Sequence, residues 1–237
     1  MSNHYFQFKQ FTIHQDKCAM KVSTDACIQG AWTPIADDVV DVLDIGTGTG
    51  LLSLMLAQRN SSIHIDAIEL DADAAIQAKE NVSASPWADR VQIIQGDITT
   101  HQFTKQYDMV ICNPPFFNNS LLGDDAQRNS VRHTISLSYD ALLAVLQNVL
   151  KHTGYAAILL PAAEHDVWQN LLLKNGWGIT RLLQVHPKET GGYNRVISLC
   201  SKQSMVEAEI EKLQIYKLGG GYTEAFTQLL QPFYLKL

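Results

Sequence analysis

Val39-Val40-Asp41-Val42-Leu43-Asp44-Ile45-Gly46-Thr47-Gly48-Thr49-Gly50 sets the architecture expected of this chain. Its first part is a run of valine, leucine and isoleucine, as in a strand buried on both faces. Gly46, Gly48 and Gly50 follow, and Leu51 to Gln58 continues as a helix. A buried strand turning through glycines into a helix opens a βα unit. Glycine serves where the backbone turns left-handed or must approach a ligand closely. The spacing is GxGxG, not the GxGxxG of a loop that cradles a dinucleotide pyrophosphate. A tighter loop led by the carboxylate of Asp44 suits a ligand whose end is a cationic amino-acid group.

The alternation continues along the chain. Ile63 to Glu69 reads as a second strand, and Asp71 to Ser83 as an alanine-rich helix with acids in its first turn, where the helix dipole favours them. Val91–Gln95 is a third strand ending in Gly96-Asp97, and Tyr107–Cys112 a fourth. Ser138 to Lys151 is an amphipathic helix, Gly154 to Pro161 a fifth strand, and Ala163 to Asn175 a helix stopped by Gly176. Trp177–His186 and Asn194–Ser201 are two more strands, joined by a loop too short for a helical crossover, so they pair antiparallel. The expected fold is α/β: a Rossmann-like, seven-stranded, mostly parallel sheet with helices on both faces and an antiparallel last strand.

Ahead of this body, residues 1–36 read as an N-terminal extension packed on a domain spanning 37–237. Tyr5 to Ile13 alternates as a half-buried strand does, Gln15 to Cys18 turns into a second strand, and Ala26 to Trp32 reads as a helix capped by Thr24 or Asp25. Residues 118–136 are polar and patternless, a length of loop that suits a substrate lid or a plain surface loop. The tail carries a charged segment at 205–213, a glycine turn at 219–221 and a short helix at Thr223–Leu230.

With 237 residues and a net charge of −6, the chain can bury a large core but is no bulk electrostatic binder of nucleic acid. Cys18, Cys27, Cys112 and Cys200 form no CxxC pair and no zinc spacing, so no metal is expected and the thiols suit a reducing cytosol. No secretion-signal core and no run of membrane-spanning length is evident, so a soluble cytoplasmic protein is expected, a monomer rather than an obligate oligomer.

The strand ends carry the chemistry. Glu69 closes the second strand, where an acid accepts the two ribose hydroxyls of an adenosine. Asp97 closes the third, placed to accept from an adenine amino group or to cap the turn at Ile98. The fourth runs into Asn113-Pro114-Pro115-Phe116-Phe117. Two prolines end the strand ladder and hold the Asn113 amide and an aromatic face at the sheet's mouth. These residues share the edge at which open α/β sheets bind ligands.

The order Asp-x-Gly-x-Gly-x-Gly (Asp44, Gly46, Gly48, Gly50), strand-end Glu69, Gly96-Asp97 and Asn113-Pro114-Pro115-Phe116 resembles the class I S-adenosylmethionine-dependent methyltransferases that act on amines. The resemblance implies S-adenosyl-L-methionine as cofactor and a catalytic role for residues 37–237. It implies that Asn113 and the carbonyl of Pro114 accept hydrogen bonds from a planar amine while Phe116 stacks on its ring. Phe8-Lys9-Gln10-Phe11, Met20 to Asp25, Arg132-His133, Tyr222-Thr223-Glu224 and Phe233-Tyr234-Leu235 extend the resemblance to the bacterial tRNA(Val) adenine-37 N6-methyltransferase family.

That resemblance implies methylation of adenine N6 in tRNA beside the valine anticodon. Guanine-N2 methylation of RNA, glutamine methylation of a protein and a non-catalytic cofactor-binding module are the alternatives. Lys21, Thr24 and Asp25 are implied to close over the methionine end of the cofactor. Phe116, Phe117, Arg132, His133 and Arg195 are candidates for substrate contact, with Arg128, Lys188, Lys9 and Lys17 as further candidates for RNA phosphates.

Overall fold

Apolar runs that alternate with amphipathic helices can bury themselves only in layers, and the computed structural model shows three of them: helices, sheet, helices. It describes residues 3–114, 137–202 and 207–237. The strands are β1 (Tyr5–Gln7), β2 (Thr12–His14), β3 (Asp41–Ile45), β4 (His64–Glu69), β5 (Val91–Gln95), β6 (Tyr107–Cys112), β7 (Leu150–Pro161), β8 (Gly178–His186), β9 (Arg195–Ser201) and β10 (Glu209–Gln214). The helices are α1 (Thr24–Trp32), α2 (Leu51–Arg59), α3 (Ala72–Ser83), α4 (Tyr139–Val149), α5 (Ala162–Lys174) and α6 (Glu224–Leu230).

The main sheet has eight strands in the order β10-β8-β9-β7-β6-β3-β4-β5. β9 alone runs against its neighbours, between β7 and β8. β10 pairs parallel with β8 at the edge. The fold class stands, but the sheet holds one strand more than expected, and the antiparallel strand is followed by another. The added strand lies in the charged tail segment. An edge strand leaves one rim to water, so charge there is tolerated, and Arg181 of β8 meets Glu209 (3.4 Å) and Glu211 (2.5 Å) across the pair.

Successive residues of each central strand face opposite layers. Val42, Met109, Ile111, Ala157 and Leu159 pack towards α1, α2 and α6. Leu43, Ile45, Val110, Cys112, Ala156 and Ile158 pack towards α4 and α5. At the amino ends of β3 and β6, Asp108 accepts from the Val40 and Asp41 N–H groups (3.1 and 2.9 Å) and from Lys151 (2.8 Å), and Lys105 bonds Asp41 (2.8 Å). These contacts pin the strands at the edge opposite the glycine loop.

The N-terminal pattern resolves differently from one long strand: β1 and β2 form a tight hairpin, Tyr5 opposite His14, with Phe8 and Phe11 stacked at its turn (4.5 Å). Residues 15–22 then run without a further strand. The cap of α1 is Ser23, whose side chain accepts from Ala26 N–H, rather than Thr24 or Asp25. Asp71, Ser138 and Thr223 cap α3, α4 and α6 in the same way.

Candidate active site

Register brings the expected residues to one level. Ile45 pairs with Ile68 on one side and Cys112 on the other, and Glu69 pairs with Gln95. Gly46, Glu69, Gly96 and Asn113 therefore emerge together at the carboxyl edge. Gly46, Gly48 and Gly50 have φ of 69°, 56° and 83°, the left-handed region that favours glycine. A Cβ built on Gly46 or Gly48 meets nothing within 4 Å, so the space over the loop is open.

Asp44 does not face that space freely. Its side chain is fully buried, and Oδ2 accepts from Thr47 Oγ1 and Ser53 Oγ, both at 2.7 Å. These bonds tie β3, the glycine loop and the first turn of α2 into one unit. Oδ1 is buried with no partner among the described residues. Burial is the main cause that pushes the Asp44 pKa up to about 6; the bonds from Thr47 and Ser53 pull against it and the charge of Glu69 adds to it.

Glu69 is half-buried. Its Oε2 accepts from Gly48 N–H (2.8 Å) and Oε1 from Asp71 N–H (2.9 Å), so the acid braces the loop it borders. Asp97 is exposed, and its Oδ1 accepts from Thr99 N–H (2.8 Å) and Thr99 Oγ1 (2.7 Å), the turn-capping geometry.

Asn113 lies just past β6, with Pro114 buried behind it, and its Oδ1 is a buried acceptor without a partner among the described residues. The residue before it is gripped from α1: Gln29 Nε2 donates to the carbonyls of Cys112 (3.0 Å) and Ala157 (3.1 Å), bridging β6 and β7. Gln29 is fully buried. Sequence reasoning missed it; the available signal is an amide amid the small apolar residues of α1.

The N-terminal segment borders the same space. Asn81 of α3 accepts from His14 N–H (2.9 Å) and donates to the carbonyls of His14 and Thr49 (both 2.9 Å), joining the hairpin to the glycine loop. Gln77 accepts from Lys17 N–H (3.1 Å) and Gln15 from Val22 N–H (2.8 Å), fixing the approach to exposed Lys21 and Thr24. The charges of Glu69 and Asp71 reach buried Cys18, whose pKa rises to about 11 chiefly through burial.

Because β9 is antiparallel, its first residue, Arg195, lies at this edge too, opposite Pro161. It pairs with Asp25 of α1 at 2.9 Å. Lys17 is engaged by Glu80 (2.5 Å), and Lys9 by the Gln231 carbonyl (2.5 Å). Lys188 is exposed. Phe116, Phe117, Arg128, Arg132, His133 and the 118–136 loop lie outside the described residues. Among the described residues no cluster of His, Cys, Asp or Glu is arranged to hold a metal, and no helix is long and apolar enough to cross a membrane.

The chain that brings a glycine loop, two strand-end acids and an amide acceptor to one edge is similar to known proteins on three levels. The family model described as Methyltransferase small domain matches residues 34–155. A protein from Agrobacterium tumefaciens described as a predicted O-methyltransferase superposes with a TM-score of 0.65 at 15% identity, over 88% of this chain and 96% of that one. A glycopeptide N-methyltransferase complexed with S-adenosyl-L-methionine superposes at 0.55 and 14% identity, over 78% and 96%. The fold is thus that of the Rossmann-like methyltransferases.

The chain is also 42% identical over 238 residues to the tRNA1(Val) (adenine(37)-N6)-methyltransferase of Tolumonas auensis, covering 100% of this chain and 99% of that protein. It is 40% identical over 237 residues to the protein of the same name from Dyadobacter fermentans, covering 99% and 98%. It belongs to the tRNA1(Val) (adenine(37)-N6)-methyltransferase family.

Proposed function

We propose that this protein transfers a methyl group from S-adenosyl-L-methionine to the exocyclic amine of an adenine in tRNA, at position 37 beside the valine anticodon. The observation that carries this reading is Asn113 Oδ1, a buried acceptor without a partner among the described residues, level with an open glycine loop. The names of the full-length relatives support the same substrate.

The cofactor fits the residues present. Open space over Gly46 and Gly48 would admit it, Glu69 would accept from its ribose hydroxyls, and Asp97 is assigned the adenine end. The unpartnered Oδ1 of Asp44 offers negative charge behind the loop, where a cationic amino-acid end belongs. Lys21, just before α1, and Thr24, its first residue, are both exposed and are assigned the methionine end. When bound, S-adenosyl-L-methionine supplies an electrophilic methyl group on a sulfonium.

The chain's own part is to hold the amine. An amine on an aromatic ring shares its lone pair with the ring and attacks poorly. Asn113 Oδ1 and the Pro114 carbonyl accept its two hydrogens, which turns the lone pair outward and stabilises the positive charge that develops on nitrogen. Fixed orientation supplies much of the remainder. No base is needed before attack, since the methylated amine is acidic and loses its proton afterwards. Phe116 is assigned the stacking face for the base, which must leave its own stack to enter.

In the same reading residues 1–36 are an extension packed on a catalytic domain of 37–237, and the enzyme works as a cytoplasmic monomer. The test is incubation with methyl-labelled S-adenosylmethionine and bulk unmodified tRNA, followed by digestion to nucleosides. Label in N6-methyladenosine is expected. Label in another nucleoside, in protein glutamine, or nowhere overturns the proposal.

A further inference from the structure

The carboxyl edge extends past the candidate site to β10, and a second constellation stands there. Ile215 N–H donates to the His186 carbonyl (2.9 Å) and Tyr216 N–H to that of Pro187 (3.2 Å), so the chain leaving β10 stays bonded to the chain leaving β8. Tyr216 and Tyr222 then face each other across an antiparallel bridge. The turn between them is closed by Lys217 N–H to the Gly221 carbonyl (2.9 Å) and Gly220 N–H to the Lys217 carbonyl (3.1 Å). Gly219, Gly220 and Gly221 hold φ of 92°, 102° and 79°, values that side-chain-bearing residues rarely adopt.

This turn stacks rings. Tyr216 lies on Tyr222 (5.3 Å, 24°) and Tyr222 on Phe226 (4.6 Å, 28°). Phe226 is 0% exposed, Tyr222 half-buried and Tyr216 41% exposed, so a column rooted in the core ends on an open ring. Exposed Lys217 and Leu218 (77%) adjoin it on the turn. Across the β8–β9 loop, Tyr193 (39% exposed) meets His186 edge-on at 5.8 Å, and Lys188 of the same loop is exposed. Glu189 and Glu224 are exposed in the same region, so the patch is aromatic first and only weakly basic.

We propose that the Phe226–Tyr222–Tyr216 column is a stacking platform for an unpaired base of the RNA substrate, a few nucleotides from the base being methylated. This rests on the reading of the chain as an RNA methyltransferase. A flat ring prepaid in the core and flanked by lysines suits a nucleobase carried on phosphate. In a chain of net charge −6, stacking rather than phosphate neutralisation must carry much of the contact. β7, β9 and β8 separate β6 from β10, four steps of about 4.8 Å, hence roughly 19 Å from Asn113, a span that a few unpaired nucleotides bridge.

The test is steady-state methylation of unmodified tRNA by the full chain. Tyr216→Ala should raise KM for tRNA roughly tenfold, as expected for one lost base–aromatic stack, with kcat at saturating RNA and S-adenosylmethionine affinity little changed. Tyr216→Phe should restore KM. The indole of Tyr216→Trp should be quenched by an unmodified anticodon stem-loop and not by S-adenosylmethionine alone, which keeps the test open if the alanine variant folds poorly. An unchanged KM, an equal rise in the alanine and phenylalanine variants, or no quenching overturns the platform and leaves the column as a protein contact or bare surface. No transfer by the wild-type protein overturns the proposed function with it; transfer with KM indifferent to Tyr216 overturns the platform alone.

Discussion

Asn113 and Asp44 each hold a buried, unpartnered oxygen at the carboxyl end of a strand, yet they make opposite predictions. The Asn113 acceptor has nothing to hold among the described residues, so its removal should cost little stability. Asn113→Ala is expected to keep cofactor affinity and lose roughly 10²–10³ in turnover, the scale of one preorganised contact to developing charge. Calorimetry with S-adenosylmethionine alongside single-turnover methylation separates the two; unchanged turnover removes Asn113 from the chemistry. Asp44 is instead a stability group. With its pKa raised to about 6 from 3.8, the folded state holds the proton more tightly than the unfolded one. Stability from this group is therefore present at low pH and lost as pH rises through about 4 to about 6, by up to about 3 kcal/mol. Asp44→Asn carries no such charge, so its stability relative to wild type should climb across that window and then level. Urea midpoints for both proteins across that range check this, and a pH-independent difference would remove the buried carboxylate as the cause.

α1 shows why parts of the site are legible from residues in a row and others are not. The glycine loop, Glu69 and Asn113 were readable because each sits where a buried apolar run stops, a local signal. Gln29 was not, because its partners, the carbonyls of Cys112 and Ala157, are distant in sequence and meet it only when α1 lies across β6 and β7. The sequence suggests that Asp44 faces a ligand, while its bonds to Thr47 and Ser53 appear only once the loop folds back over it. β10 escaped for the reverse reason: of Glu209 to Gln214 only Leu213 is buried, so the segment lacks the apolar run of its neighbours. If Gln29 positions the Asn113 end of β6, Gln29→Leu should lose about 1–3 kcal/mol through unsatisfied carbonyls and also lower kcat at unchanged cofactor affinity. Ile28→Val, expected to cost about 1 kcal/mol on the same helix, is the control. Thermal melts with kcat measured well below melting distinguish them, since equal kcat losses in both variants would reduce Gln29 to packing.

Over the molecule as a whole, the two chain ends close on α1 together. Phe8 bridges Tyr234, Lys9 N–H donates to the Phe233 carbonyl (2.8 Å), and Gln58 Nε2 reaches the Pro232 carbonyl (3.0 Å). Phe8, Cys27, Phe226, Leu230 and Phe233 share one core with the α2 side of the sheet. Tyr234 lies beside Cys27 and Thr24, and burial pushes the phenol's pKa well above its usual value. The Cys27 thiol is fully buried and pushed up to about 12, so it is inert while the tail is in place. Because α1 begins just after Lys21 and carries Thr24, Asp25 and Gln29, the tail supports the candidate site without entering it. Truncation after Leu230 removes Phe233 and Tyr234 and should uncover Cys27. Maleimide labelling followed by peptide mass spectrometry should find Cys27 modified within minutes in the truncated protein and protected in the full chain, with Cys112 and Cys200 protected in both. Cofactor affinity should fall in parallel as the Lys21–Asp25 segment loosens. If Cys27 stays protected after truncation, the tail is not the clasp and α1 holds its place through α2 alone.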